Sequence, residues 1–217
     1  MKTIPKDYQH LLEAVACLYT VDNGCVKVFL LKQETEPYKG YWVLPRVKVS
    51  IQESCEEAIK KEIENHFQFQ QVILEEVSSY SEPNRVLGEP IVSICYSGSV
   101  HLLDLQKDTG KGQWFPIQEL PKIGYDHSKM IQDSKKKLQE KLTDLSSLKE
   151  LFPSDFTLPE IQGVFESILD KKIDRRNFRK RFLSFGYLEE TGDYEKKGTG
   201  RPAKLYRFKE QEEKKLF

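Results

Sequence analysis

Apolar and polar positions change rhythm several times along the chain, and each change marks an element. Two dense apolar runs, Leu11 to Val21 and Cys25 to Leu31, flank Asp22-Asn23-Gly24. An Asn-Gly pair between β-rich runs signals a tight hairpin, because the central residues of such a turn take positive φ. A loop from Gln33 to Gly40 leads into an extended piece, Tyr41 to Val49. From Glu53 to Phe67 the period lengthens, and Ala58, Ile59, Ile63 and Phe67 fall on one side of a helix. Val72 to Val77, Ile91 to Leu105 and Gly112 to Ile117 read as strands, and Ser128 to Leu142 as a polar helix. This mixture predicts an α+β unit over residues 1–145.

Residues 146–155 are expected to be a linker, with a helical turn at Leu148 to Phe152. The second unit, 156–217, opens on Thr157-Leu-Pro-Glu160, the spacing of a capping box. Ile161, Val164, Phe165, Ile168 and Leu169 then recur at helical spacing. Four residues later a second helix is expected, capped by Asp174. Phe178, Phe182 and Phe185 form its apolar face. Tyr187 to Glu190 and Lys204 to Phe208 are strand-like and enclose a Gly-rich basic tip. Two short helices followed by a hairpin make a winged helix-turn-helix pattern.

Charge sharpens this picture. The 217 residues carry 34 Lys and Arg against 34 Asp and Glu. The balance hides a cationic excess in the second unit, above all at Lys171 to Arg181, where seven of eleven residues are basic. Such a patch on a neutral protein attracts nucleic acid without general stickiness. Candidate DNA contacts are Arg175, Arg176, Asn177, Arg179 and Lys180 on the helix and Lys197, Arg201 and Lys204 on the hairpin. A solvated charge run, an ordinary surface hairpin, and a capping role for Asn177 are the plainer alternatives. Cys17, Cys25, Cys55 and Cys95 are widely spaced and contain no C-x-x-C pair, which argues against structural zinc. The first ten residues are polar and no apolar run approaches a membrane span, so a cytoplasmic setting is expected.

The stretch Gly40 to His66 resembles a Nudix box, G-x-W-x-L-P-G-G, E-x-x-E-x-A, R-E-L-x-E-E. Trp42, Leu44, Pro45, Glu53, Glu57, Ala58 and Glu62 match in register. Arg46 and Val47 stand where the paired glycines are expected, and Asn65 and His66 where two carboxylates are expected. Carboxylates at i, i+3 and i+4 share a helical face and together hold a divalent metal. With one of the three left, hydrolysis is expected to be lost: no catalytic residue, metal or cofactor is assigned.

Joined to the second unit, this resembles the NrtR-type family of Nudix-related transcriptional regulators. The stretch Trp114 to His127, the basic helix, and Gly200 to Phe208 are similar to that family's signatures. The resemblance implies a Nudix-like mixed α/β sandwich followed by a winged helix-turn-helix. It further implies a homodimeric repressor of a palindromic double-stranded DNA operator, whose first domain senses a small molecule. The effector is ADP-ribose, a related nucleotide, or a sugar. Arg46, Arg85 and His127 are the candidate ligand contacts. The alternative is a residual Nudix pyrophosphohydrolase with an appended nucleic-acid-binding module.

Overall fold

The computed structural model describes residues 9–67, 72–86, 88–100, 112–144, 148–149, 151–152, 155–196 and 202–209. Strand β1 (Leu11–Asp22) is the axis of the larger sheet. It turns through Asn23 and Gly24, with φ of 51° and 77°, into the antiparallel β2 (Cys25–Lys32). This is the turn geometry that Asn-Gly accommodates at least strain. On its other side β1 pairs in parallel with β6 (Ile91–Ser99), from Leu11 opposite Ile91 to Tyr19 opposite Ser99. Antiparallel β5 (Leu74–Tyr80) continues the sheet beyond β6.

The extended piece expected from Tyr41 to Val49 is split. β3 (Trp42–Val43) pairs with β2, and β4 (Arg46–Lys48) pairs with β1. The break falls at Leu44-Pro45, since proline has no amide hydrogen to give a ladder; the Pro45 carbonyl instead accepts from Ala16 N at 2.9 Å. β7 (Gly112–Pro116) pairs with β2. The expected strand from Ile91 to Leu105 ends at Ser99 in the described residues; 101–111 lie outside them.

Both faces of this sheet are covered, which is why β1 is buried from Glu13 to Thr20 rather than alternating. Helix α1 (Cys55–His66) lays Ile59 and Ile63 into a core with Ala14, Ala16, Leu18 and Phe29. Helix α2 (His127–Lys141) lays Met130, Ile131 and Leu138 into a core with Val15, Cys17 and Tyr19. Cys17 and Cys95 are fully buried free thiols, with sulfurs 3.9 Å apart.

The core on the α2 side continues without a break into the second unit. Leu148 and Leu151 are buried in it, and Phe152 N donates to the Leu148 carbonyl at 3.2 Å, closing the helical turn expected there. A two-residue strand that the sequence gave no sign of, β8 (Phe156–Thr157), pairs with β10 (Ala203–Phe208), which pairs with β9 (Leu188–Glu195). Between β8 and β9 lie α3 (Leu158–Leu169) and α4 (Arg175–Ser184). The Thr157–Glu160 capping box is formed, and Asp174 caps α4 through the Asn177 amide at 2.9 Å. Leu169, expected on the inner stripe of α3, is 41% exposed; the helix ends there, with Asp170 in the left-handed region.

Candidate nucleic-acid interface and ligand cleft

Three aromatics fix the orientation of α4. Phe182 is buried, its ring 5.8 Å from that of Phe165 on α3; Phe178 lies 5.4 Å from Phe165 and stacks on Phe182 at 5.3 Å; Phe185 closes the row. Rings at these separations prefer the edge-to-face and offset arrangements seen here. With that face inward, Arg175, Arg176, Asn177, Arg179 and Lys180 are all exposed. Among the described residues, none of the four cations makes an ion pair or a side-chain hydrogen bond. Asn177 contributes only its backbone amide to the Asp174 cap.

The hairpin differs. Lys204 is bonded to Glu190 across the strands at 2.7 Å, so its ammonium already has a partner. That contact lowers the Glu190 carboxyl below its ordinary range. Lys197 and Arg201 lie outside the described residues.

The second constellation sits where β1, β4, β6 and the start of α2 meet. Glu13, buried at 3% exposure, accepts from Arg46 Nη1 at 2.8 Å and from Ser93 Oγ at 2.6 Å. Arg46 Nη2 donates to the Tyr125 hydroxyl at 2.8 Å, and its guanidinium lies 4.3 Å from the centre of the Tyr125 ring. Gln33 Nε2 reaches the same hydroxyl at 3.4 Å. Arg85, 6% exposed, donates to both carboxylate oxygens of Asp126 at 2.8 and 3.0 Å and to Ser93 Oγ. Its Nε is buried without a partner.

Two arginines and two carboxylates thus form one connected, charge-balanced network. Asp126 stands at the N-cap position of α2, but its side chain makes no capping bond; Arg85 takes it instead. His127, expected among ligand contacts, is buried at 1% exposure, and its Nδ1 accepts from the Leu44 amide at 2.9 Å. Burial, then Arg46 and Arg85, push its pKa down to about 3. It is a neutral brace joining α2 to the β3–β4 connection.

Sequence reasoning brought Arg46, Arg85 and His127 to this region and missed Glu13 and Tyr125. The signal for Glu13 was present: a lone carboxylate inside the apolar run Leu11 to Leu18. Tyr125 has φ of 55°, an uncommon conformation for an aromatic residue.

The carboxylates of the Nudix-like helix are engaged within the chain. Glu57 closes a capping box with Ser54, whose bonds hold its carboxyl below the usual range. Glu53 is bridged to Lys61 at 2.7 Å, and Glu62 Oε1 lies 2.9 Å from His66 Nε2, accepting from it where that nitrogen carries the proton. Asn65 is neutral and exposed. This donor set does not fit a hard divalent cation, which wants several convergent oxygens. Among the described residues no group of three or more His, Cys, Asp or Glu side chains is placed to hold a metal ion.

Comparison with known proteins fits both units. Residues 148–208 match the family model of the NrtR DNA-binding winged helix domain. The ADPR responsive transcriptional repressor NtrR of Acinetobacter baylyi is 28% identical over 93% of this chain and 84% of its own length. An ADP-ribose pyrophosphatase of Methanocaldococcus jannaschii is 30% identical over 58% of this chain and 74% of its own. The structure of Shewanella oneidensis NrtR complexed with a 27mer DNA superposes with a TM-score of 0.73 and 26% identity, over 91% of this chain and 93% of that one. The α+β first unit, the winged second unit and these likenesses agree, and together they support an NrtR-type, Nudix-related transcriptional regulator whose residues 148–208 form the NrtR winged helix domain.

Proposed function

We propose that this protein is a ligand-responsive, DNA-binding repressor. Its second unit, from residue 156, holds DNA through α4 and the β9–β10 hairpin. Its first, 1–145, senses an ADP-ribose-like nucleotide or a sugar. The observation that carries the reading is the exposed row of Arg175, Arg176, Arg179 and Lys180, without an ion pair among the described residues, set opposite a Phe stripe packed into the core. Guanidiniums with free forks suit phosphates and guanine edges. The likeness to a repressor named as ADPR responsive, and to an NrtR solved on DNA, supports the same reading. Lys197, Arg201 and Lys204 would follow the phosphate backbone, Lys204 by exchanging Glu190 for a phosphate. A homodimer on a palindromic operator gives the specificity a single helix lacks, and a cytoplasmic setting suits that role.

In the first unit, Arg85 Nε is a buried donor left for a ligand oxygen, and Arg46 with Tyr125 flanks it. Hydrolysis is not part of the proposal, because Asn65 is neutral and Glu62 is engaged by His66. The test is binding of the purified protein to duplex from upstream of its own gene, then titration with ADP-ribose or with arabinose. Release of DNA by one of them is expected; no DNA binding at low salt overturns the reading. Magnesium-dependent turnover of ADP-ribose that vanishes in Glu62→Gln would restore the hydrolase alternative.

A further inference from the structure

The first unit holds α3 by its end, and that grip connects the cleft to the DNA-reading helix. The last carbonyls of any helix lack partners within it. In α3 the Ile168 carbonyl is taken by a glutamine of the first unit, Gln139, whose Nε2 donates to it at 2.8 Å; the Glu166 carbonyl, which already accepts from the Asp170 and Lys171 amides, also accepts from Gln118 Nε2 at 3.2 Å. Ser167 Oγ accepts the Val26 amide at 3.2 Å. Lys135 of α2 pairs with Asp170, the residue that terminates α3.

At the other edge of the seam the chains meet backbone to backbone. A Cβ on Gly163 would lie 2.6 Å from the Gly24 carbonyl oxygen, and one on Gly24 would lie 2.9 Å from that of Glu160. A helix-interior glycine costs about 1 kcal/mol against alanine, and this contact is what requires one at Gly163.

Two stiff elements run from the cleft to this seam. α2 begins at Asp126 and His127, in the network of Arg85 and Leu44, and carries Lys135 and Gln139 to α3. Residues 127 and 139 are roughly 18 Å apart along a helix. β1 carries Glu13 near its start, in the same network, and ends at the hairpin tip against Gly163. α3 passes any tilt to α4 through Phe165, Phe178 and Phe182. Beside the seam lies a surface hollow of about 300 Å³, lined by Asn23, Cys25, Gln118, Glu166, Asp170 and Lys172.

We infer that Gln118 and Gln139, with Ser167, are the positioning residues that couple the cleft network to the orientation of α3 and α4. This rests on the reading of the first unit as a sensor. Directional side-chain bonds to helix-end carbonyls are well suited to such a task, because they exchange between discrete arrangements where apolar packing deforms little.

The test uses the full chain and no effector. The cleft is perturbed by Arg85→Ala, or by the milder Asp126→Asn should the first unfold. Each is made in the native background and in Gln118→Ala/Gln139→Ala. Amide hydrogen exchange is read over residues 158–184. In the native background the cleft change is expected to alter exchange there by about threefold or more, and in the double-alanine background by less than about 1.5-fold. Equal changes in both backgrounds, or no change over 158–184 in either, overturn the coupling. Exchange is read on free protein, so a chain that failed to bind DNA would sink the functional reading and leave this result standing. The same four proteins on DNA give a second readout, in which the cleft effect on affinity disappears with the glutamines.

Discussion

The molecule uses arginine in two opposite ways. In the cleft, Arg46 and Arg85 are largely withdrawn from water and each is matched by a carboxylate, Glu13 or Asp126, and by a hydroxyl. On α4, Arg175, Arg176 and Arg179 stand in solvent with no ion pair or side-chain hydrogen bond among the described residues. Desolvating a charge is costly, so a buried arginine is kept only if the chain itself satisfies it. An exposed one needs no partner to fold and remains available to a phosphate. Counting basic residues does not distinguish these cases. What separates them is whether the charge has been answered within the chain. By that criterion α4 leaves its cations open to an outside anion, whereas the charges of Arg46 and Arg85 are already answered within the chain.

The sharpest way to break this contrast is to delete one arginine from each region and measure folding. Arg85→Ala leaves the Asp126 carboxylate and the Ser93 hydroxyl without the guanidinium that donates to them, and should cost about 3–5 kcal/mol. Arg176→Ala should stay within about 0.5 kcal/mol, as surface changes do. Urea unfolding of the two variants gives both numbers, and similar losses would erase the distinction.

Acid should act on the cleft and spare α4. His127 is neutral in the fold, with a pKa near 3, against an ordinary value of 6.5 when unfolded. Since the unfolded chain binds the extra proton, the stability this group contributes is complete above pH 6.5 and is lost as pH falls toward 3. The slope reaches at most about 1.4 kcal/mol per pH unit. His127→Gln, whose amide oxygen can still accept from Leu44, should flatten unfolding free energy against pH between 6 and 4. An unchanged slope would mean that the brace is not the titrating group.

The smallest effect belongs to the frame that carries α4. Thr157→Ala removes half of the α3 capping box and should cost about 1 kcal/mol, visible as a modest fall in the unfolding midpoint with α4 and its cations unaltered. A loss of DNA binding from this variant, with folding intact, would show that α3 does more than support.

What the sequence disclosed was local. The Asn-Gly turn, the Thr157 and Asp174 caps, and the Phe178, Phe182, Phe185 stripe each follow from neighbours a few residues apart, and all are present. The pairings of the cleft were not legible. Arg46 meets Glu13 across 33 residues, Arg85 meets Asp126 across 41, and Ser93 meets Glu13 across 80. Asp126 precedes a helix, where a carboxylate commonly caps, yet a buried guanidinium offers it a stronger partner. β8 escaped notice because two residues carry no period, and it exists only by pairing with β10.

The most direct test of the account is DNA binding by single alanine variants of Arg175, Arg176, Arg179 and Lys180, on specific and scrambled duplexes at several salt concentrations. At least one of the three arginines should lose about 1–3 kcal/mol on the specific duplex alone. Those that touch phosphate should weaken both duplexes and lower the salt dependence by about one charge. If all four variants bind the specific duplex within about twofold of the native protein, well short of the 1.4 kcal/mol of a tenfold change, the row on α4 is only a solvated face and the central claim is wrong.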